Sequence, residues 1–128
     1  MATYARVRGL TNQRDKDIGQ TFLRLAELLK KSRITGTLRC TILVDDKSRS
    51  WTFELRGRDC RLHRDAATVP DLEIITREAT WWEIADGRLS PLDAFTQGQM
   101  RILGDTALGS RLLQHVAESG GATSICGG

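Results

Sequence analysis

Apolar positions near the start of the chain follow the period of a helix. Ile18, Phe22, Leu25 and Leu29 recur at intervals of three and four residues, which places them on one face of an α-helix. Acidic residues precede this stripe and lysines follow it, an arrangement that suits the helix dipole. We therefore predict an amphipathic helix over roughly residues 15–32.

Beyond residue 37 the apolar period changes to two, the period of a strand with one buried face. Four segments predict strands: TLRCTILV (37–44), SWTFELR (50–56), DCRLHRD (59–65) and DLEIIT (71–76). Turns are predicted at DDKS (45–48) and at Gly57. Short turns and clean alternation indicate an antiparallel sheet with one buried face and one solvated face.

The following region carries start and stop signals for two helices. The segment REATWWEIADG (77–87) has helical spacing, and its final glycine, Gly87, is placed as a C-terminal cap. Ser90 followed by Pro91 is typical of the first residues of a second helix. That helix must be short, because Gly98 ends it.

The last third adds a strand, QMRIL (99–103), and a final helix. Asp105 caps this helix, whose apolar stripe is Leu108, Leu112, Leu113 and Val116. The order of elements predicts an α+β fold: a two-layer domain in which helices cover one face of a five-stranded, mostly antiparallel sheet. We divide the chain into an N-terminal lead-in (1–14), this domain (15–118) and a flexible Gly/Ser-rich tail (119–128).

Composition fits one globular domain that binds no nucleic acid. The chain has 128 residues, of which 40% are apolar and 27% charged, and we expect a cytoplasmic protein because neither a signal peptide nor a membrane span is visible. The net charge of +3 is dispersed, without the basic stripe and interleaved aromatics of a nucleic-acid reader. The densest basic cluster, KKSR (30–33), suits a helix C-terminus. Its alternative role is transient contact with an anionic membrane surface.

Candidate catalytic residues are sparse. His63 and His115 stand apart from any nucleophile motif, and Cys40, Cys60 and Cys126 lie too far apart for a metal-binding or disulfide pattern. The segment GDTALGS (104–110) has phosphate-loop glycines but lacks the phosphate-binding lysine. We therefore expect a protein that is not an enzyme and that needs no metal and no cofactor.

Apolar residues concentrate in the C-terminal third, where two short helices are each interrupted by glycine. Such helices pack poorly and can enclose space, and Met100 would give such a space an adaptable wall. The plainer interpretation is that these residues form the core, and composition alone leaves both open.

The stretch ITREATWWEIADGRLSPLDAFTQGQMRILGD (75–105) resembles the sterol carrier protein type 2 family, the sterol-binding or lipid-transfer domain. The resemblance lies in the order of its signals: a Gly-basic-apolar-Ser-Pro run, Ala94-Phe95, Gly98, then an alternating strand closed by Gly104-Asp105. The element order agrees over roughly residues 15–118. This resemblance implies an apolar cavity between sheet and helices, and non-enzymatic binding or transfer of a sterol, a fatty acyl chain or another lipid-like molecule.

The resemblance also implies which residues surround the ligand. It places them on the covering helices and on the last strand, with Gln97 offering either a polar contact in the cavity or a hydrogen bond at the helix end. The predicted ligand-binding residues are Trp81, Trp82, Ile84, Leu89, Phe95, Gln97, Met100, Ile102, Leu108, Leu112 and Leu113.

Three departures from the family pattern affect this interpretation. Tandem Trp81-Trp82 is bulkier than the family's usual residues and would fill or reshape the cavity. The chain does not end in a peroxisomal signal of the Ser-Lys-Leu type. The tail ends in Cys-Gly-Gly, so Cys126 and Gly128 are candidate modification sites.

Two alternative functions follow. In the first, the protein is an accessory or scaffold protein of a biosynthetic pathway, and partner enzymes receive or modify the tail. In the second, it is an enzyme that transforms an apolar intermediate, for which His63 and Cys60 would be the residues to test.

Overall fold

A computed structural model describes residues 17–64 and 69–118. Helix α1 occupies residues 17–29 of this part, and four strands follow, then two helices, a strand and a last helix. Their bounds are β1 (Thr35–Val44), β2 (Lys47–Arg56), β3 (Asp59–Arg64), β4 (Leu72–Arg77), α2 (Glu78–Ala85), α3 (Pro91–Thr96), β5 (Met100–Gly104) and α4 (Thr106–Glu118). The predicted order of elements is therefore confirmed, whereas the lead-in 1–14 and the tail 119–128 lie outside the described residues.

The strands form one five-stranded sheet in the order β3-β2-β1-β4-β5. Three neighbouring pairs are antiparallel, but β1 and β4 run parallel, with Cys40 opposite Ile74. The predicted α+β fold with a mostly antiparallel sheet is confirmed. Strand β4 lies on the side of β1 opposite to β2 and runs in the same direction as β1.

The turn predicted at 45–48 is shorter than expected. Lys47 and Ser48 already belong to β2, where they pair with Val44 and Leu43, so the turn consists of Asp45 and Asp46 alone. Asp45 has a φ of 57°, a left-handed conformation that aspartate tolerates better than most residues. The prediction of a four-residue turn was therefore wrong. The predicted turn at Gly57 is confirmed, with a φ of 67°.

The helix boundaries in the second half follow the local signals. Ser90 accepts a hydrogen bond of 3.0 Å from the Asp93 amide, and Asp105 accepts one of 3.1 Å from the Leu108 amide, so both predicted N-caps are confirmed. Gly87 has a φ of 81° just beyond the end of α2, as expected for a helix C-terminus.

The core lies between one face of the sheet and the helices. Alternate residues of the central strands, such as Leu38 and Phe53, are buried on this face. Phe22 on α1 and Ile84 on α2 are buried as well and belong to the same cluster. Within residues 17–64 and 69–118, no helix is both long enough and apolar enough to cross a bilayer.

Candidate functional site: an apolar cavity between the layers

A small apolar cavity lies within the core. Its volume is about 60 Å³, and no polar atom is exposed on its wall. The lining residues come from all four helices and three strands: Phe22, Leu25, Leu29, Leu38, Cys40, Ile42, Ile74, Thr76, Trp81, Ile84, Pro91, Met100, Ile102, Gly109, Leu112, Leu113 and Val116.

The sheet supplies one wall through strand alternation and register. In the β4–β5 pair, Ile74 lies opposite Ile102 and Thr76 lies opposite Met100, so these four residues face the cavity together. Cys40 lies opposite Ile74 across the parallel pair and continues the same wall.

Helix α4 forms part of the opposite wall and lies close to the sheet at Gly109. A methyl group built on Gly109 would make ordinary van der Waals contact with the side chains of Leu72 and Ile102 at 3.5 Å, which leaves no room for a side chain larger than alanine without movement of the helix. Leu112 and Val116 follow on the same face of α4 at intervals of three and four residues.

Two polar groups belong to the wall, the Thr76 hydroxyl, which is already hydrogen-bonded, and the Cys40 thiol, which is hard to ionise. The Thr76 hydroxyl donates a hydrogen bond of 2.9 Å to the carbonyl oxygen of Gln99. Burial raises the pKa of the Cys40 thiol far above its ordinary value, and the nearby Glu73 carboxylate acts in the same direction. The wall therefore suits hydrocarbon, and neither group is poised to bind an ionic headgroup.

Aromatic rings reinforce the cavity on its α1 and α2 side. Phe22 and Trp81 both line it, with ring centroids 4.7 Å apart in a stacked arrangement. Phe22 also packs against Trp51 and Phe53, whose ring centroids lie 4.9 Å and 5.7 Å from its own. Aromatic pairs at these distances are favourable beyond their buried area.

The family model described as "SCP-2 sterol transfer family" matches residues 21–116. The chain belongs to the SCP-2 sterol transfer family. All the residues that line the cavity lie within the part of the chain that the family model matches.

Individual relatives support the same placement. "Non-specific lipid-transfer protein-like 1" of Caenorhabditis elegans is 29% identical over 87 residues, which is 67% of this chain and 72% of that protein. The solution structure of palmitated SCP2L2 from Aedes aegypti has a TM-score of 0.63 at 17% identity, covering 74% of this chain and 90% of that one. A crystal structure of sterol carrier protein 2 has a TM-score of 0.61 at 22% identity, covering 79% and 83%. The two structures show that the fold is shared.

The structure brings part of the predicted SCP-2 site together at the cavity. Six predicted residues line it: Trp81, Ile84, Met100, Ile102, Leu112 and Leu113. That they contact a ligand stays a prediction.

The other five predicted residues lie away from this cavity. Trp82 is half-buried on another side of α2, where its indole nitrogen donates a hydrogen bond of 3.1 Å to Glu78. Phe95 is 44% exposed, and Gln97 is exposed at the C-terminal end of α3. Leu108 is buried near Gly36, and Leu89 packs against the margin of the core.

Sequence reasoning did not select the contribution of α1 and β1 to the wall. Phe22, Leu25 and Leu29 stood out as an apolar stripe, and Cys40 as an inward strand residue, but their spacing indicates only which face is buried. Which buried residues surround a space depends on contacts between elements that are distant in sequence.

Among the described residues, the remaining candidates His63 and Cys60 lie outside the cavity. His63 is exposed on β3, with its Nε2 atom 3.5 Å from a carboxylate oxygen of Glu54. Cys60 is buried, and its pKa rises to about 11 mainly because burial disfavours the thiolate. Cys126 and Gly128 lie outside the described residues. Among residues 17–64 and 69–118, no group of His, Cys, Asp and Glu side chains is placed to hold a metal ion.

Proposed function

We propose that this protein is a non-enzymatic carrier that binds the hydrocarbon part of a lipid-like molecule, either a fatty acyl chain or a sterol, in the cavity between its sheet and its helices. The observation that carries the proposal is the apolar wall contributed by both layers. Membership of the SCP-2 sterol transfer family supports it. The palmitated form of the related mosquito protein supports an acyl chain as one occupant.

Hydrophobic burial provides the driving force for binding. Each Å² of apolar surface removed from water stabilises a complex by about 25 cal/mol. A ligand that buries ~300 Å² would gain ~7 kcal/mol before the entropic cost of association, whereas micromolar affinity needs a net ~8 kcal/mol, so a micromolar ligand must bury a larger apolar area than this.

The cavity must enlarge when a ligand enters, because its volume of about 60 Å³ is small. Sites for small molecules usually enclose about 300–1,000 Å³. Met100 and Leu113 are the wall residues best suited to this change, since methionine is flexible and Leu113 is only half-buried. Displacement of α4 away from the sheet would add space, because Leu112 and Val116 of this helix form part of the cavity wall.

The test is titration of a fluorescent fatty acid with the purified protein and with two matched variants. Met100→Trp introduces a large ring that occupies the cavity, and we expect it to weaken probe binding at least tenfold. Leu103→Trp introduces the same ring on the same strand at a position 46% exposed, and it should bind the probe as the unchanged protein does.

Circular dichroism must show that Met100→Trp remains folded, because overpacking a core costs about 1–3 kcal/mol. Native mass spectrometry of freshly purified protein provides an independent test, in which a co-purified lipid would appear as added mass. Absence of saturable, displaceable probe binding by the unchanged protein would contradict the proposal.

A further inference from the structure

We infer that Trp81 is the fixed wall that sets the upper limit on the size of the hydrocarbon that the cavity accepts. This inference rests on the proposed function. It concerns selectivity among ligands, which depends on the walls that cannot move when the cavity enlarges.

Two hydrogen bonds in series fix the position of the Trp81 ring. Its indole nitrogen donates to the hydroxyl of Thr21 at 2.8 Å, and that hydroxyl donates to the carbonyl oxygen of Ile18 at 2.6 Å. Trp81 is 6% exposed and Thr21 is 4% exposed, so water cannot replace either bond without local opening. Swinging the ring aside would leave a buried N–H group without an acceptor, which is unfavourable.

Packing against Trp81 also prevents its ring from moving away from the cavity. Phe22 stacks on Trp81 and is fully buried, and the rings of Trp51 and Phe53 pack against Phe22 as well. An incoming chain would therefore have to displace several packed rings at once. The side chains of Met100 and Leu113 offer far less resistance on the other sides of the cavity.

The neighbouring tryptophan supplies a matched control. Trp82 follows Trp81 on the same helix, but it lies outside the cavity and its indole nitrogen is bonded to Glu78. Replacing either tryptophan with leucine removes the same atoms from the protein. Only the replacement of Trp81 enlarges the cavity.

The experiment measures displacement of a bound fluorescent fatty acid by saturated fatty acids of increasing length, from eight to eighteen carbons. Each further buried methylene tightens binding about fourfold. We expect the affinity of the unchanged protein to rise at this rate and then level off at the length at which the chain meets Trp81. In Trp81→Leu the levelling should move to chains longer by two or more methylenes, so the longest acids should bind at least about sixteenfold more tightly.

The same comparison extends to a fluorescent sterol, whose rigid rings need a wider space than an acyl chain. Trp81→Leu should bind this sterol more tightly than the unchanged protein does. Trp82→Leu should retain both the length profile and the sterol affinity of the unchanged protein.

Two further variants keep the inference testable if Trp81→Leu does not fold. Trp81→Phe preserves a ring for stacking but is smaller and lacks the N–H donor, so it should show a smaller shift in the same direction. Thr21→Val leaves the indole without its acceptor and should let the ring move, which also relaxes the length limit.

The possible failures are distinguishable. If the unchanged protein binds no probe, the proposed function is contradicted. If it binds the probe but Trp81→Leu, or Trp81→Phe in its place, keeps the unchanged length profile, the proposed function stands and the role of Trp81 is contradicted. A shift of equal size in Trp82→Leu would also overturn the inference.

Discussion

The Nε2 atom of His115 lies 3.0 Å from the carbonyl oxygen of Leu28, a contact that joins helix α4 to the last turn of α1. A carbonyl oxygen can only accept a hydrogen bond, so Nε2 carries the proton and donates. Both helices line the cavity, α1 through Leu25 and Leu29 and α4 through Leu112 and Val116. The hydrogen bond therefore holds together two helices that must separate if the cavity enlarges on this side.

Loss of this hydrogen bond should speed ligand exchange. In His115→Ala we expect a free energy of unfolding lower by about 1 kcal/mol, since a typical hydrogen bond contributes about that much. We also expect a several-fold faster release of a bound fluorescent fatty acid, measured by stopped-flow competition. Gln114→Ala is the control, because the neighbouring Gln114 side chain donates a hydrogen bond within α4, to Glu118. Equal release rates in the two variants would show that the contact does not restrain the helices.

The two buried cysteines should respond differently to ligand. Cys40 lines the cavity and Cys60 does not. In a Cys126→Ser background, a small apolar alkylating reagent should modify Cys40 slowly, and saturating fatty acid should slow the reaction further. Modification of Cys60 should not change with ligand. Mass spectrometry of peptides measures both rates, and equal protection of the two cysteines would contradict a ligand in this cavity.

Alkylation of Cys60 should also depend steeply on pH. The thiolate is the reactive form, and with a pKa of about 11 only about a thousandth of Cys60 is ionised at pH 8. The rate should rise about tenfold per pH unit between pH 8 and 10 while the protein stays folded. In urea the rate at pH 8 should increase strongly, because the unfolded thiol returns to its ordinary pKa near 9.0. A rate at pH 8 that urea leaves unchanged would show that Cys60 is not buried.

Raised thiol pKa values have a consequence for stability in the same pH range. Above about pH 9 the unfolded chain releases thiol protons that the folded chain retains, so the free energy of unfolding should fall as the pH rises toward 11. Urea denaturation at a series of pH values measures this fall, which should be smaller in Cys60→Ala. An identical pH profile in that variant would show that Cys60 makes no contribution.

Gly104 should tolerate substitution far less than Gly57. Both have positive φ angles, 106° and 67°, so alanine is strained at either position. At Gly104 an added methyl group would also overlap the backbone carbonyl of Asp71, whereas nothing lies within 4 Å at Gly57. We expect Gly57→Ala to cost about 1 kcal/mol and Gly104→Ala about 3 kcal/mol or more. Urea denaturation would check both, and equal costs would contradict the close approach of β5 to Asp71.

Signals that act within a few residues were enough to predict most elements. The helix ends are marked by Ser90 with Pro91, by Gly87 and by Asp105. Ser90 and Asp105 accept hydrogen bonds from backbone amides in the first turn of their helices, and Gly87 follows the last turn of α2. The alternation in β1 and β2 predicted the buried face for the same local reason. The DDKS turn was misjudged because pairing across the hairpin, which continues to Lys47, outweighs the turn preference of Ser48.

The sequence by itself thus determined the elements, their order, the apolar face of the central strands and, through the spacing of signals in 75–105, the family resemblance, although Thr41 and Thr52 on the face predicted to be solvated are buried as well. Tertiary structure alone decided that β1 lies at the centre of the sheet and pairs in parallel with β4. It also decided that Trp81, but not Trp82, faces the cavity, and that α1 contributes to its wall. The physical reason is that a cavity is defined by contacts among elements far apart in the chain, and periodicity specifies a face without specifying what lies opposite it.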